Sequence, residues 1–131
     1  MRGLRQILVD TQIFLWAITD DSRLSQAHRN VYLDQASDLY LSLASVWEML
    51  IKSAIGKLPT PSPAMEYIAN QMRINRVNPL PVRMHHLKEL EALPPVHRDP
   101  FDRMLVAQAR AEGMPILSAD PQMKKYAVAV L

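Results

Sequence analysis

The chain contains no cysteine. Disulfides, thiolate metal sites and cysteine nucleophiles are thereby excluded, and a reducing cytoplasm is permitted. Glycine is scarce, with Gly3, Gly56 and Gly113 the only ones. They are too scattered to form a phosphate-cradling loop, so nucleotide binding by that route has no basis. No apolar run approaches the roughly 18 residues needed to cross a bilayer. The start, Met1-Arg2-Gly3-Leu4-Arg5, leads into only a few apolar residues before Asp10. That reads as a strand and not as a secretory leader, so the protein is expected to stay in the cytoplasm, away from membranes. A strong charge of one sign is also missing. The net charge is +2 and the pI near 9.1, which is compatible with a nucleic-acid partner without pointing to one.

What is present suits a soluble globular protein. The 131 residues suffice for one domain with a real core and are too few for two ordinary ones. Residues 1–131 are therefore read as a single domain. A contiguous apolar run predicts a buried strand over residues 6–10. Helices are predicted over 11–18 and over 24–36, the second with Leu24, Ala27, Val31 and Ala36 on one face. Residues 39–43 read as the next strand. Ser45 to Ile55 reads as a helix closed by Gly56, which suits the left-handed position past a helix end.

Pro59, Pro61 and Pro63 make a stiff connector, too short to separate two domains. Met65, Ile68, Ala69 and Met72 then recur at helical spacing within 64–75. A proline-interrupted edge strand is predicted at 77–80 and a helix at 82–93. Pro100 to Glu112 is the clearest helix, with Gly113 as its stop. A strand at 115–118, one or two helical turns at 121–126 and a last strand at 127–131 complete the chain. Strands alternating with helices argue for an α/β protein with a parallel sheet.

Acidic residues stand where these strands end and helices begin. Asp10 closes Gln6-Ile7-Leu8-Val9-Asp10, and Glu48 follows Leu39-Tyr40-Leu41-Ser42-Leu43. Asp99 and Asp102 lie in His97-Arg98-Asp99-Pro100-Phe101-Asp102-Arg103, and Asp120 follows Ile116-Leu117-Ser118-Ala119. Each has an ordinary explanation. Asp99-Pro100 and Asp120-Pro121 look like helix N-caps followed by proline at the first helical position. Asp102 would sit in a first turn, where the helix dipole favours negative charge. Ser45 and Glu48 fit a capping box, and Asp10 would cap the helix that starts at Thr11.

Capping does not explain why Asp stands at Asp10, Asp99 and Asp120, where Ser, Thr or Asn would cap about as well. Nor does it explain Glu48 within the apolar Val46-Trp47-Glu48-Met49-Leu50-Ile51. A buried carboxylate is costly unless paired or bound to a cation, and Lys52, four residues on, offers one partner. In an open parallel sheet the carboxyl ends of the strands share one edge, where ligands bind. Acids far apart in sequence would then meet in one pocket suited to Mg²⁺ or Mn²⁺.

Taken together, these segments resemble the PIN-domain family, and within it the VapC-type toxins. The resemblance rests on Leu8-Val9-Asp10-Thr11, on Ser45-Val46-Trp47-Glu48 with Ile51-Lys52 and Gly56-Lys57-Leu58, on His97 to Arg103 running into Ala107-Gln108-Ala109, and on Ser118-Ala119-Asp120-Pro121. It covers essentially the whole chain. It implies a three-layer α/β fold, with a mostly parallel sheet of four or five strands between helices. It implies a metal-dependent endoribonuclease that cleaves RNA, silenced by a cognate antitoxin and forming a homodimer. Asp10, Glu48, Asp102 and Asp120 match the family's acidic set and would hold Mg²⁺ or Mn²⁺. Asp99 is an extra acid beside them. Thr11 and Ser118 match small hydroxyl positions that support the metal site.

Other side chains admit two readings each. Arg98 and Arg103 flank the acids and would either hold substrate phosphates or neutralise neighbouring carboxylates. His28, His85 and His86 read as surface or helix-side residues, and His97 as touching RNA or structural. Trp47 reads as core, and Trp16 as a candidate interface residue. A receiver domain would need paired acids after the first strand, and a haloacid dehalogenase-type phosphatase would need Asp-x-Asp there. Gln12 breaks both patterns. A non-catalytic α/β interaction module, its acids serving only as caps, is the alternative to the nuclease.

Overall fold

The computed structural model describes residues 4–131. Met1 to Gly3, read above as the lead into the first strand, lie outside the described residues. Strand β1 is Arg5–Val9, followed by helices α1 (Thr11–Ile18) and α2 (Gln26–Leu33). Strand β2 (Ser37–Ser42) leads into α3 (Leu43–Ala54) and α4 (Ala64–Ile74). Strand β3 (Asn78–Leu80) precedes α5 (Met84–Glu91) and α6 (Pro100–Glu112). Strand β4 (Ile116–Leu117) is followed by a 3₁₀ turn at Pro121–Lys125.

All strand pairs are parallel, in the order β3-β2-β1-β4. The chain steps outward from β1 to β2 to β3, then returns to place β4 on the other side of β1. That reversal opens a crevice at the carboxyl ends of β1 and β4, where an open α/β sheet binds its ligands. The register pairs Leu8 with Ile116 and Val9 with Leu117, so Asp10 and Ser118 emerge side by side.

The strand pleat explains the two cores. Ile7 and Val9 point to one face, with Ile13, Phe14, Met49 and Ile68 from the helices that cover it. Leu8 points to the other face, with Leu105, Val106 and Ala109 of α6 and Met123. Ile7, Leu8 and Val9 are all completely buried, which is why β1 is apolar without alternation. Each such side chain contributes roughly 1.5–3 kcal/mol. The result is three layers, helix on sheet on helix.

Several local expectations are corrected. Residues 127–131 form no strand; they make a single bridge, Val130 to Ile116, because β4 offers only two residues to pair with. Helix α2 is shorter than 24–36, since Ser25 caps its start and Ser37 already pairs in the sheet. The helix carrying Glu48 begins at Leu43, not Ser45. Its cap is Ser42, whose hydroxyl accepts from the Ala44 amide at 3.0 Å. Glu48 therefore belongs to no capping box. The edge position of β3 and the α6 boundaries are as read from the sequence.

Candidate metal centre

Asp10 leaves β1 with its backbone amide still bonded to Leu117 O at 3.0 Å. It occupies the N-cap position of α1, yet its side chain makes no capping hydrogen bond. Its Oδ2 instead accepts from the Ser118 hydroxyl at 2.6 Å. Ser118 Oγ in turn accepts from the Asp120 amide at 3.0 Å. One hydroxyl thus ties the residue after β1 to the loop after β4. Asp120 does cap the 3₁₀ turn, accepting from the Gln122 amide at 2.9 Å. Asp99 caps α6 through the Phe101 and Asp102 amides, which leaves Asp102 in the first turn as expected.

Glu48 projects from α3, buried, with Lys52 Nζ 3.0 Å from its Oε2. Thr11 Oγ1 donates to Ser45 Oγ at 2.7 Å. Ser45 is not a cap but a buried clasp between α1 and the helix that carries Glu48. Thr11 makes that clasp and bonds no acid among the described residues.

Asp10, Glu48, Asp99, Asp102 and Asp120 line one cavity of about 320 Å³. Among the described residues Lys52 is the one cation on its wall, and Gln12, Leu15 and Trp16 close its α1 side. The indole N–H of Trp16 is buried with no partner among the described residues. Trp16 therefore lines this cavity.

The crowding shows in the acidities. Burial pushes Asp102 up to about 7, and the charges of Asp10 and Asp99 add to it while His97 opposes it. Burial also raises Asp10, against the hydrogen bond from Ser118 and the nearby Gln12 amide; the charges of Asp120 and Glu48 push further upward. The Glu48 hydrogen bond raises Lys52. These groups lack positive charge rather than donors. Carboxylate oxygens are hard ligands, so a divalent cation of the Mg²⁺ or Mn²⁺ kind fits this set, and soft metals do not.

His97, which the sequence allows either to touch RNA or to serve structure, bridges two acids. Its Nε2 lies 3.0 Å from Asp120 Oδ2 and 3.1 Å from Asp102 Oδ2. Its position beside the acids was visible in sequence, but its bridging was not. Neither Arg98 nor Arg103 lines the cavity. Arg103 donates to Pro94 O and to Tyr126 Oη, so it braces a loop, and it pairs with no acid among the described residues. Arg98 is exposed.

Trp47 is not core. It is 62% exposed and packs edge-on against Phe101, with ring centroids 5.3 Å apart. The two border an apolar groove with Leu43, Val82, Leu87 and Met104, next to the acidic cavity in sequence on both α3 and α6. His86 is the other surprise, completely buried between α5 and α6. Its Nδ1 accepts from the Arg83 amide at 2.9 Å, so the ring proton is on Nε2, which donates to Glu112 Oε2 at 2.9 Å. With His85 also on Glu112, this group has the composition of a metal site. A protonated Nε2 offers no lone pair, so the cluster is a clasp between helices.

A family model of the PIN domain matches residues 7–129 of this chain. Ribonuclease VapC16 of Mycobacterium tuberculosis is 38% identical over 58 residues, a match spanning 44% of this chain and 41% of that protein. Among solved structures, the chain resembles the VapBC2 complex from Rickettsia felis bound to a promoter DNA fragment. The TM-score is 0.65 at 14% identity, over 96% of this chain and 97% of the other. A toxin–antitoxin complex from Klebsiella pneumoniae gives 0.62 at 14% identity, over 95% of each chain. FitAcB from Neisseria gonorrhoeae gives 0.60 at 17% identity, over 95% of this chain and 96% of the other. At these identities the structural likeness is one of fold.

Proposed function

Because the chain belongs to the PIN-domain family, we propose that it is a Mg²⁺- or Mn²⁺-dependent endoribonuclease, the toxin of a toxin–antitoxin pair. The observation that carries the reading is convergence. Five acids from four separate segments line a single cavity at the carboxyl edge of the sheet. Helix capping accounts for Asp99 and Asp120. It does not account for the bond of Asp10 to Ser118 across the sheet, or for Glu48, which lies inside α3. The interaction-module alternative therefore loses its main support.

Asp10, Asp102 and Asp120 would hold the cation, with Glu48 and Asp99 completing the negative wall. A divalent ion in such a site supplies an acidified water and charge stabilisation for in-line attack on a phosphodiester. The chain's own residues prepare that position. Ser118 orients Asp10, and the Thr11–Ser45 clasp fixes the helix of Glu48. Lys52, paired with Glu48 at the cavity wall, and Arg98 and Arg103, which flank the acids in sequence, would meet RNA phosphates. No protein nucleophile is needed. The groove beside Trp47 and Phe101 suits the apolar residues of an antitoxin segment or of a second copy in a homodimer.

The test is RNA cleavage with and without Mn²⁺, wild type beside Asp10→Asn. Loss of a central carboxylate is expected to lower the rate by more than about 100-fold, beyond the cost of losing a supporting residue. Folding should survive, since the change removes a buried charge among like charges. Full activity in Asp10→Asn, or in excess EDTA, would overturn the reading.

A further inference from the structure

We infer that His97 is a positioning residue of this centre, its Nε2–H holding the carboxylates of Asp102 and Asp120 side by side for one cation. The inference rests on the reading that these two acids are metal ligands. They come from different elements, Asp102 from the first turn of α6 and Asp120 from the loop after β4. No backbone pairing sets their separation. His97, on the loop before α6, reaches both at once, at 3.1 and 3.0 Å.

The ring is itself held. Its Nδ1 accepts from the Asp99 amide at 3.1 Å. The His97 backbone amide donates to Tyr126 Oη at 2.7 Å, and Tyr126 is buried. Arg103 reaches the same Oη at 3.4 Å and Pro94 O at 2.9 Å, bracing the loop from behind. These bonds also decide the tautomer. An Nδ1 that accepts a backbone N–H carries no proton, so a neutral ring has its proton on Nε2. That nitrogen donates to Asp120 Oδ2 and faces Asp102 Oδ2. It has no lone pair left for a metal. His97, Asp102 and Asp120 bring ligand atoms within 4.8 Å of one another, yet only the two carboxylates are ligands. A ring N–H held between two ligating carboxylates orients them as a supporting shell does.

Two measurements on the full chain test this. The first is ¹⁵N NMR of histidine-labelled, metal-free wild type. The His97 resonances should show Nδ1 bare and Nε2 protonated. A proton on Nδ1 overturns the inference. The second is Mn²⁺ titration of wild type, His97→Ala and His97→Gln, read by paramagnetic resonance with no RNA present. His97→Ala is expected to bind Mn²⁺ about 10–100-fold more weakly, and His97→Gln, which keeps an N–H donor near the Nε2 position, to recover most of that loss. Should the alanine variant fail to fold, His97→Gln against wild type and the tautomer decide the matter. Equal affinity of His97→Ala and wild type overturns the role of His97 while leaving the metal centre intact. Wild type that binds no Mn²⁺ overturns the metal centre itself, and this inference with it.

Discussion

The Ser118 hydroxyl donates to Asp10 Oδ2 at 2.6 Å across 108 residues of sequence. The contact exists because β1 and β4 are parallel neighbours whose last paired residues are Val9 and Leu117. Ser118 also receives the Asp120 amide, so one side chain serves both ends of the candidate ligand set.

Ser118→Ala should therefore weaken the centre without dismantling the fold. Asp10 loses the hydrogen bond that opposes its burial, and the Asp120 amide loses its acceptor. Mn²⁺ affinity is expected to fall about 10–100-fold. Stability should fall by about 1–3 kcal/mol, the cost of leaving buried polar groups unpaired. Manganese titration and chemical denaturation check the two numbers separately. Unchanged manganese affinity would remove Ser118 from the site.

Without metal, stability should decline as pH rises through the acidic-to-neutral range. The ordinary value for an Asp carboxyl is 3.8, and Asp102 in the folded protein is pushed up to about 7, by burial first. Between those values the folded protein keeps a proton that the unfolded chain has released. Its stabilising effect is complete below the unfolded value and lost as pH approaches the folded one. Asp10, also raised, acts in the same direction. Glu112 is held below its ordinary 4.5 by its bonds to His85 and His86, so its contribution is already complete above that value and does not offset the trend. Melting temperature in EDTA is expected to fall between about pH 5 and about pH 7.5, and added Mn²⁺ to restore it at the upper end. A melting temperature that rises over this range in EDTA would contradict the crowded-acid account.

Trp47→Ala should be nearly silent for stability. The side chain is 62% exposed and its one aromatic neighbour is Phe101. The expected cost is about 0.5–1.5 kcal/mol for the lost edge-on pair. A core tryptophan would cost roughly 3–5 kcal/mol, and urea titration distinguishes the two outcomes.

Most of the layer order was legible because its signals are local. Helix α6 announces itself through Asp99-Pro100 at one end and Gly113, in the left-handed conformation with φ of 68°, at the other. The strand at 127–131 was misread because apolar alternation there is satisfied by packing under α6, with too little of β4 to pair against. Ser45 was misread because Ser42, three residues earlier, takes the cap and frees Ser45 to meet Thr11. Trp47 and His86 were misread for a common reason. Residue type gives a tendency toward the core or the surface, while the face of the helix on which a residue falls decides its burial. Trp47 falls on the side of α3 away from the sheet, and His86 falls between α5 and α6 with Arg83, Gln108 and Glu112 ready to bond it.

The sequence by itself determined which acids are available, their places at strand and helix ends, and an alternation that admits a parallel sheet. Those properties depend on neighbours a few residues away. The tertiary structure alone decided that the acids share a cavity, that Ser118 serves Asp10 and Asp120 together, and that His97 bridges Asp102 and Asp120. These depend on β4 returning to the free side of β1. A strand order sets distances between residues far apart in the chain, and hydrophobic periodicity carries no record of it.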